Sequence, residues 1–143
     1  MTTVLLVEDN PADARLTVEA FASVDRAIEI QVVSDGPEAI SFLRNEGTYT
    51  DAPHPDMILL DLNLPKMDGR EVLSYIKNDS RLKTSATCVL SSSGDDDDVR
   101  ECHELLADYY IKKPIELDAY EGLIRNFHDH WHKMVVNAAL RCS

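Results

Sequence analysis

Basic residues are scarce in this chain: 14 lysines and arginines stand against 26 aspartates and glutamates, a formal net charge of −12. That balance excludes generic nucleic-acid binding, which needs basic patches to neutralise phosphates, but leaves room for a basic protein partner. Long apolar runs are missing too. None approaches the ~20 residues needed to cross a bilayer, so no membrane role is expected. The start, Met1-Thr2-Thr3, lacks the basic residues and apolar stretch of a signal peptide. Cysteine is sparse and odd in number. Cys88, Cys102 and Cys142 fall at unrelated spacings, which reads as free thiols in a reducing, cytoplasmic setting. Glycine-rich phosphate loops are absent as well. The first apolar run leads into Glu8-Asp9-Asn10-Pro11, which excludes a dinucleotide fingerprint. There is no internal repeat and no low-complexity linker, and 143 residues with 44% hydrophobic content suit one domain with a sizeable core.

What is present alternates. Residues 3–8 read as a buried strand, and Asn10-Pro11 supplies a cap and first-turn proline for a helix to about residue 23. A strand at about 28–34 follows, and Asp35-Gly36-Pro37 opens a second helix carrying Ala39, Ile40 and Leu43. Residues 47–55 read as loop, 56–60 as a third strand and 69–78 as a third helix. A fourth strand spans 86–91, Val99, Cys102, Leu105 and Leu106 mark a fourth helix, and 108–112 form a fifth strand. Leu117, Tyr120, Leu123, Ile124, Phe127 and Trp131 stripe a last helix. Strand-then-helix repeats with right-handed crossovers predict an α/β fold, a doubly wound five-stranded parallel sheet with helices on both faces.

The chemistry sits at the ends of these strands. Asp61 closes the run Met57-Ile58-Leu59-Leu60, Glu8 and Asp9 close Val4-Leu5-Leu6-Val7, Ser91 closes Cys88-Val89-Leu90, and Lys113 closes Tyr109-Tyr110-Ile111. Any one of these alone reads as a turn former, a solvated corner or a surface lysine. Four strand ends carrying them together read as a site for a metal ion and a phosphoryl group, since open α/β sheets bind ligands at that edge. A carboxylate such as Asp61 can attack phosphorus, and a divalent cation and a lysine offset the repulsion between the two anions. Mg²⁺ takes near-octahedral oxygen ligands. Asp9 and Asp61 are the expected direct ligands, with Glu8 through water and Asn63 through its backbone carbonyl. Lys113 would pair with Asp61 and then with a phosphoryl oxygen, and Ser91 would donate to another. His128, His130 and His132 lack the glutamate of a zinc-protease helix and read as structural or solvated.

Taken together, the chain resembles a response-regulator receiver domain of two-component signalling. Val4 to Asn10 is similar to that family's acidic-pair motif, and Ile58 to Gly69 to its phosphoacceptor motif, with a proline four and a glycine eight residues past Asp61. The gaps of 30 residues from Asp61 to Ser91 and 22 from Ser91 to Lys113 also agree. The resemblance implies a flavodoxin-like receiver fold over residues 1–133, with 134–143 a C-terminal tail that serves as a dimerisation arm. It implies a single-domain response regulator, not an enzyme acting on other substrates. A sensor histidine kinase would phosphorylate Asp61 with Mg²⁺ as cofactor. Ser91 and the ring of Tyr110 would then switch the face made by the fourth helix, fifth strand and last helix. The segment Thr48 to His54, the run from Asn63 to Leu73 and the extended last helix resemble the regulators paired with bacterial phytochromes, which implies a phytochrome-type kinase and a homodimer. Serine stands where threonine is commoner, at 91, and four aspartates, Asp95 to Asp98, open the fourth helix, where the helix dipole favours negative charge. A phosphohydrolase is the enzyme alternative, but Asn63 occupies the position of its second, acid–base aspartate. A degenerate receiver that binds proteins independently of phosphorylation is the other.

Overall fold

The structure is a computed structural model that describes residues 2–24, 26–62, 64, 66–91, 109–112, 122, 125, 136 and 140. Five strands, β1 (Thr2–Val7), β2 (Ile28–Val33), β3 (Met57–Asp61), β4 (Ala86–Ser91) and β5 (Tyr109–Lys112), form one sheet in the order β2-β1-β3-β4-β5, and every neighbouring pair is parallel. Three helices are described: α1 (Pro11–Val24), α2 (Gly36–Leu43) and α3 (Gly69–Asn78). The expected fourth and last helices and the tail lie outside the described residues, apart from single positions.

Strand periodicity divides the core in two. Successive side chains point to opposite faces of a sheet, so alternate residues of the fully buried strands feed different layers. Val4, Leu6, Met57 and Leu59 join Ala14, Ala20 and Phe21 of α1 on one face. Leu5, Val7, Ile58 and Leu60 join Ala39, Phe42 and Leu43 of α2 and Val72, Leu73 and Ile76 of α3 on the other. Helices therefore cover both faces, as the continuous apolar runs of β1 and β3 require. Each buried leucine or isoleucine contributes about 1.5–3 kcal/mol through removal of its surface from water.

The helix starts are written locally. Asn10 Oδ1 accepts from the amides of Ala12 and Asp13 at 2.9 and 3.3 Å, Asp35 from Glu38 at 2.7 Å, and Asp68 from Arg70 at 2.8 Å. The stretch from 47 to 55, expected as plain loop, contains a 3₁₀ turn at Gly47–Tyr49. It is docked rather than loose. The Tyr49 ring sits 5.3 Å from that of Phe42, and its hydroxyl donates to Glu38 Oε1 at 2.5 Å. That bond pulls the Glu38 carboxyl below its ordinary range and pushes the Tyr49 hydroxyl up to about 12. A second 3₁₀ turn, Leu82–Thr84, precedes β4.

Candidate metal and phosphoryl-transfer site

The strand order creates one topological switch point, between β1 and β3, where the chain departs from β1 to β2 on one side and from β3 to β4 on the other. At such a point the loops part and leave a crevice at the carboxyl ends of the strands. Register fills that crevice with acid. Val7 pairs with Leu60, so Glu8 and Asp61 fall one step further at the same level. Glu8 is held there because its amide donates to Val33 of β2 at 3.0 Å and its Oε1 accepts from Asn10 at 3.2 Å. Carboxylate oxygens of Glu8, Asp9 and Asp61 all lie within 4.8 Å of one another. Glu8 is 2% and Asp61 5% exposed, while Asp9 faces solvent.

Three carboxylates this close repel one another, and burial of two strengthens the repulsion. An all-oxygen anionic set open on one side is the chemistry a hard divalent cation takes. The donor set therefore fits Mg²⁺ or a cation like it.

The remaining strands line up beside this cluster. Asp61 pairs with Leu90, so Ser91 of β4 follows one step beyond, and Ser91 in turn pairs with Lys112 of β5. Lys113 and Asn63, both expected in the site, lie outside the described residues, as does the side chain of Ser91. Tyr110 is half-buried against the layer that contains Leu60 and Val89.

The loop after Asp61 adds contacts that motif spacing does not disclose. Gly69 begins α3 and donates its amide to Leu62 at 3.1 Å. A Cβ at Gly69 would stand 2.4 Å from the Asp61 carbonyl oxygen and 2.6 Å from Leu62 Cα, so only glycine lets α3 start this close to the end of β3. Lys66, two residues before the α3 cap, reaches Asp35 at 3.3 Å. Spacing marks Gly69 as part of a motif; the backbone approach that demands it appears only once β3 and α3 meet. Nothing in the sequence pairs Lys66 with Asp35.

Residues 4–125 match the response regulator receiver domain family. The chain belongs to that family. The response regulator Rcp1 of Synechocystis sp. is 39% identical over 132 residues, which cover 92% of this chain and 90% of Rcp1. The structure of Rcp1 in its Mn²⁺-bound form superposes with a TM-score of 0.83, covering 92% of this chain and 94% of that one. The phosphorylated cyanobacterial phytochrome response regulator RcpA is 44% identical, with a TM-score of 0.86 over 92% of this receiver and 94% of RcpA. The probable methanogenesis regulatory protein FilR2 of Methanothrix harundinacea is 38% identical over 129 residues, 90% of this chain and 82% of its own. This receiver is thus a signalling protein related to phytochrome response regulators. The flavodoxin-like receiver fold expected from the sequence is the one observed. Among the described residues no helix is long and apolar enough to cross a membrane.

Proposed function

We propose that this receiver accepts a phosphoryl group on Asp61 from a sensor histidine kinase, with Mg²⁺ as cofactor, and signals by protein contact in the cytoplasm. The observation that carries the reading is the cluster of Glu8, Asp9 and Asp61 at the switch point of the sheet, two of the three buried and all within 4.8 Å. Glu8, Asp9 and Asp61, with the Asn63 carbonyl, would hold the ion. Bound Mg²⁺ supplies positive charge against the phosphoryl oxygens. An Asp61 oxygen forms a bond to phosphorus as the phosphorus–nitrogen bond of a phosphohistidine breaks, and the imidazole nitrogen keeps that electron pair. Lys113 offsets the charge on one phosphoryl oxygen, and Ser91 donates a hydrogen bond to another. Inward movement of Ser91 frees space for the Tyr110 ring, and the face around β5 repacks.

The kinase belongs to the phytochrome type in this reading, because RcpA, 44% identical to this chain, is itself a phytochrome response regulator. Two copies associate through the C-terminal arm, where Val136 and Leu140 are 56% and 61% exposed. Exposed apolar side chains four residues apart in sequence favour a partner surface.

Intact-protein mass spectrometry after phosphoramidate or acetyl phosphate tests the central step. Wild type with Mg²⁺ gains one phosphoryl adduct, and Asp61→Asn, or omission of Mg²⁺, abolishes it. An adduct that survives Asp61→Asn sinks the assignment. No adduct with any donor or kinase would point instead to phosphorylation-independent binding.

A further inference from the structure

Lys66 occupies a backbone conformation that lysine disfavours. Its φ is +67°, and among the described residues one other non-glycine, Asn45 at +56°, shares that region. Asparagine is among the residues that tolerate it, and Asn45 uses its side chain locally, donating to the carbonyls of Tyr49 and Ala52 at 3.2 and 2.7 Å. A glycine at 66 would remove the crowding at Cβ. A side chain kept in a costly conformation points to a contact that holds it there.

That contact is Asp35. Lys66 Nζ lies 3.3 Å from Asp35 Oδ2, across 31 residues of chain, and the aspartate is only 15% exposed. The other oxygen, Oδ1, accepts from Glu38 N and so caps α2. Behind the pair the same two segments touch, since a Cβ on Gly36 would stand 2.7 Å from Met67 Cβ. At the far end of the segment, Gly69 lies against the Asp61 carbonyl and donates to Leu62. Residues 66–69 are therefore clamped between the first turn of α2 and the end of β3.

We infer that Lys66 and Asp35 are a positioning pair: they brace the β3–α3 loop on α2 and so hold the Asp61 carboxylate in place for its phosphodonor. The inference rests on the phosphoacceptor reading of Asp61. Neither residue belongs to the carboxylate cluster, so each acts through the loop. Because Lys66 is 70% exposed, the effect has the size of a surface ion pair, about two- to fivefold in rate.

A double-mutant cycle tests it. Asp35→Asn removes the charge and keeps the cap, since asparagine caps as well as aspartate; Lys66→Gln removes the partner charge. Amide hydrogen exchange at Gly69 is read in the unphosphorylated protein, and phosphoramidate labelling of Asp61 is read by mass. Both single variants should exchange faster at Gly69 and label about two- to fivefold more slowly at unchanged melting temperature. The double variant should be no worse than the poorer single, and Lys66→Arg should behave as wild type. Wild-type exchange at Gly69 in either single, or additive losses in the double, overturns the brace. The exchange measurement needs no phosphorylation, so wild type that never labels fails the phosphoacceptor reading while the brace is still judged.

Discussion

Gly69 occupies the first position of α3, where alanine would normally be the better helix former by roughly 0.5–1 kcal/mol. The 2.4 Å approach to the Asp61 carbonyl reverses that preference, because the atom in the way is backbone and cannot swing aside. Gly69→Ala should cost about 1–3 kcal/mol in urea unfolding, the range for forcing atoms into a packed site, and should slow labelling of Asp61. Stability at or above wild type would mean that α3 does not press on β3 as described. Asp61 itself pairs on β4 with Leu90 and is almost wholly buried, so its carboxylate has few alternative placements. That rigidity is what a phosphoacceptor requires of its attacking oxygen.

Among the elements, the connection before β3 and the 3₁₀ turn before β4 meet at His54. Thr84 Oγ1 donates to the Arg81 carbonyl at 2.8 Å and Ser85 Oγ to the Pro55 carbonyl at 2.6 Å, which commits both hydroxyl protons. His54 Nε2 must then be the donor to both oxygens, at 3.0 and 3.3 Å. Burial, and secondarily the Arg81 charge, hold the His54 pKa below 6.5, with Asp56 acting the other way. The unfolded chain therefore binds the proton more readily. The stability contributed by this histidine is complete above the unfolded value and is lost as pH falls below it. Urea midpoints taken from about pH 8 to about pH 5.5 should fall less steeply in His54→Gln than in wild type; equal slopes would remove His54 from the pH response. The elements themselves were legible early. Continuous apolar runs announced β1 and β3, and Asn10 and Asp35 announced helix starts, so boundaries agree to within a residue or two. The docking of Tyr49 on Glu38 and of Lys66 on Asp35 was not legible, because side chains 11 and 31 residues apart are paired by the fold and not by any local pattern. The acids were visible as strand ends, but their approach to within 4.8 Å depends on β1–β3 register.

The whole molecule carries a net charge of −12, a self-repulsion that general salt screens and that a cation at the carboxylate cluster relieves at one point. The two effects separate at matched ionic strength. Mg²⁺ should raise the melting temperature above that in NaCl of equal ionic strength, by the equivalent of about 2.7 kcal/mol at a hundredfold excess over its Kd. The same comparison in Asp61→Asn should give a smaller rise, since one oxygen ligand of the set is weakened. Identical curves in Mg²⁺ and NaCl would leave the cluster without a cation role.

The parallel order of the sheet has a consequence for the life of the chain. Glu8 and Asp9 are made early and Asp61 much later, and they become neighbours only when β3 inserts beside β1. A chain cut short before residue 61 holds only part of the cluster, and a longer one holds it assembled only with β3 seated beside β1. On the proposed phosphoacceptor reading, labelling at position 61 would therefore double as a report that β3 has joined β1.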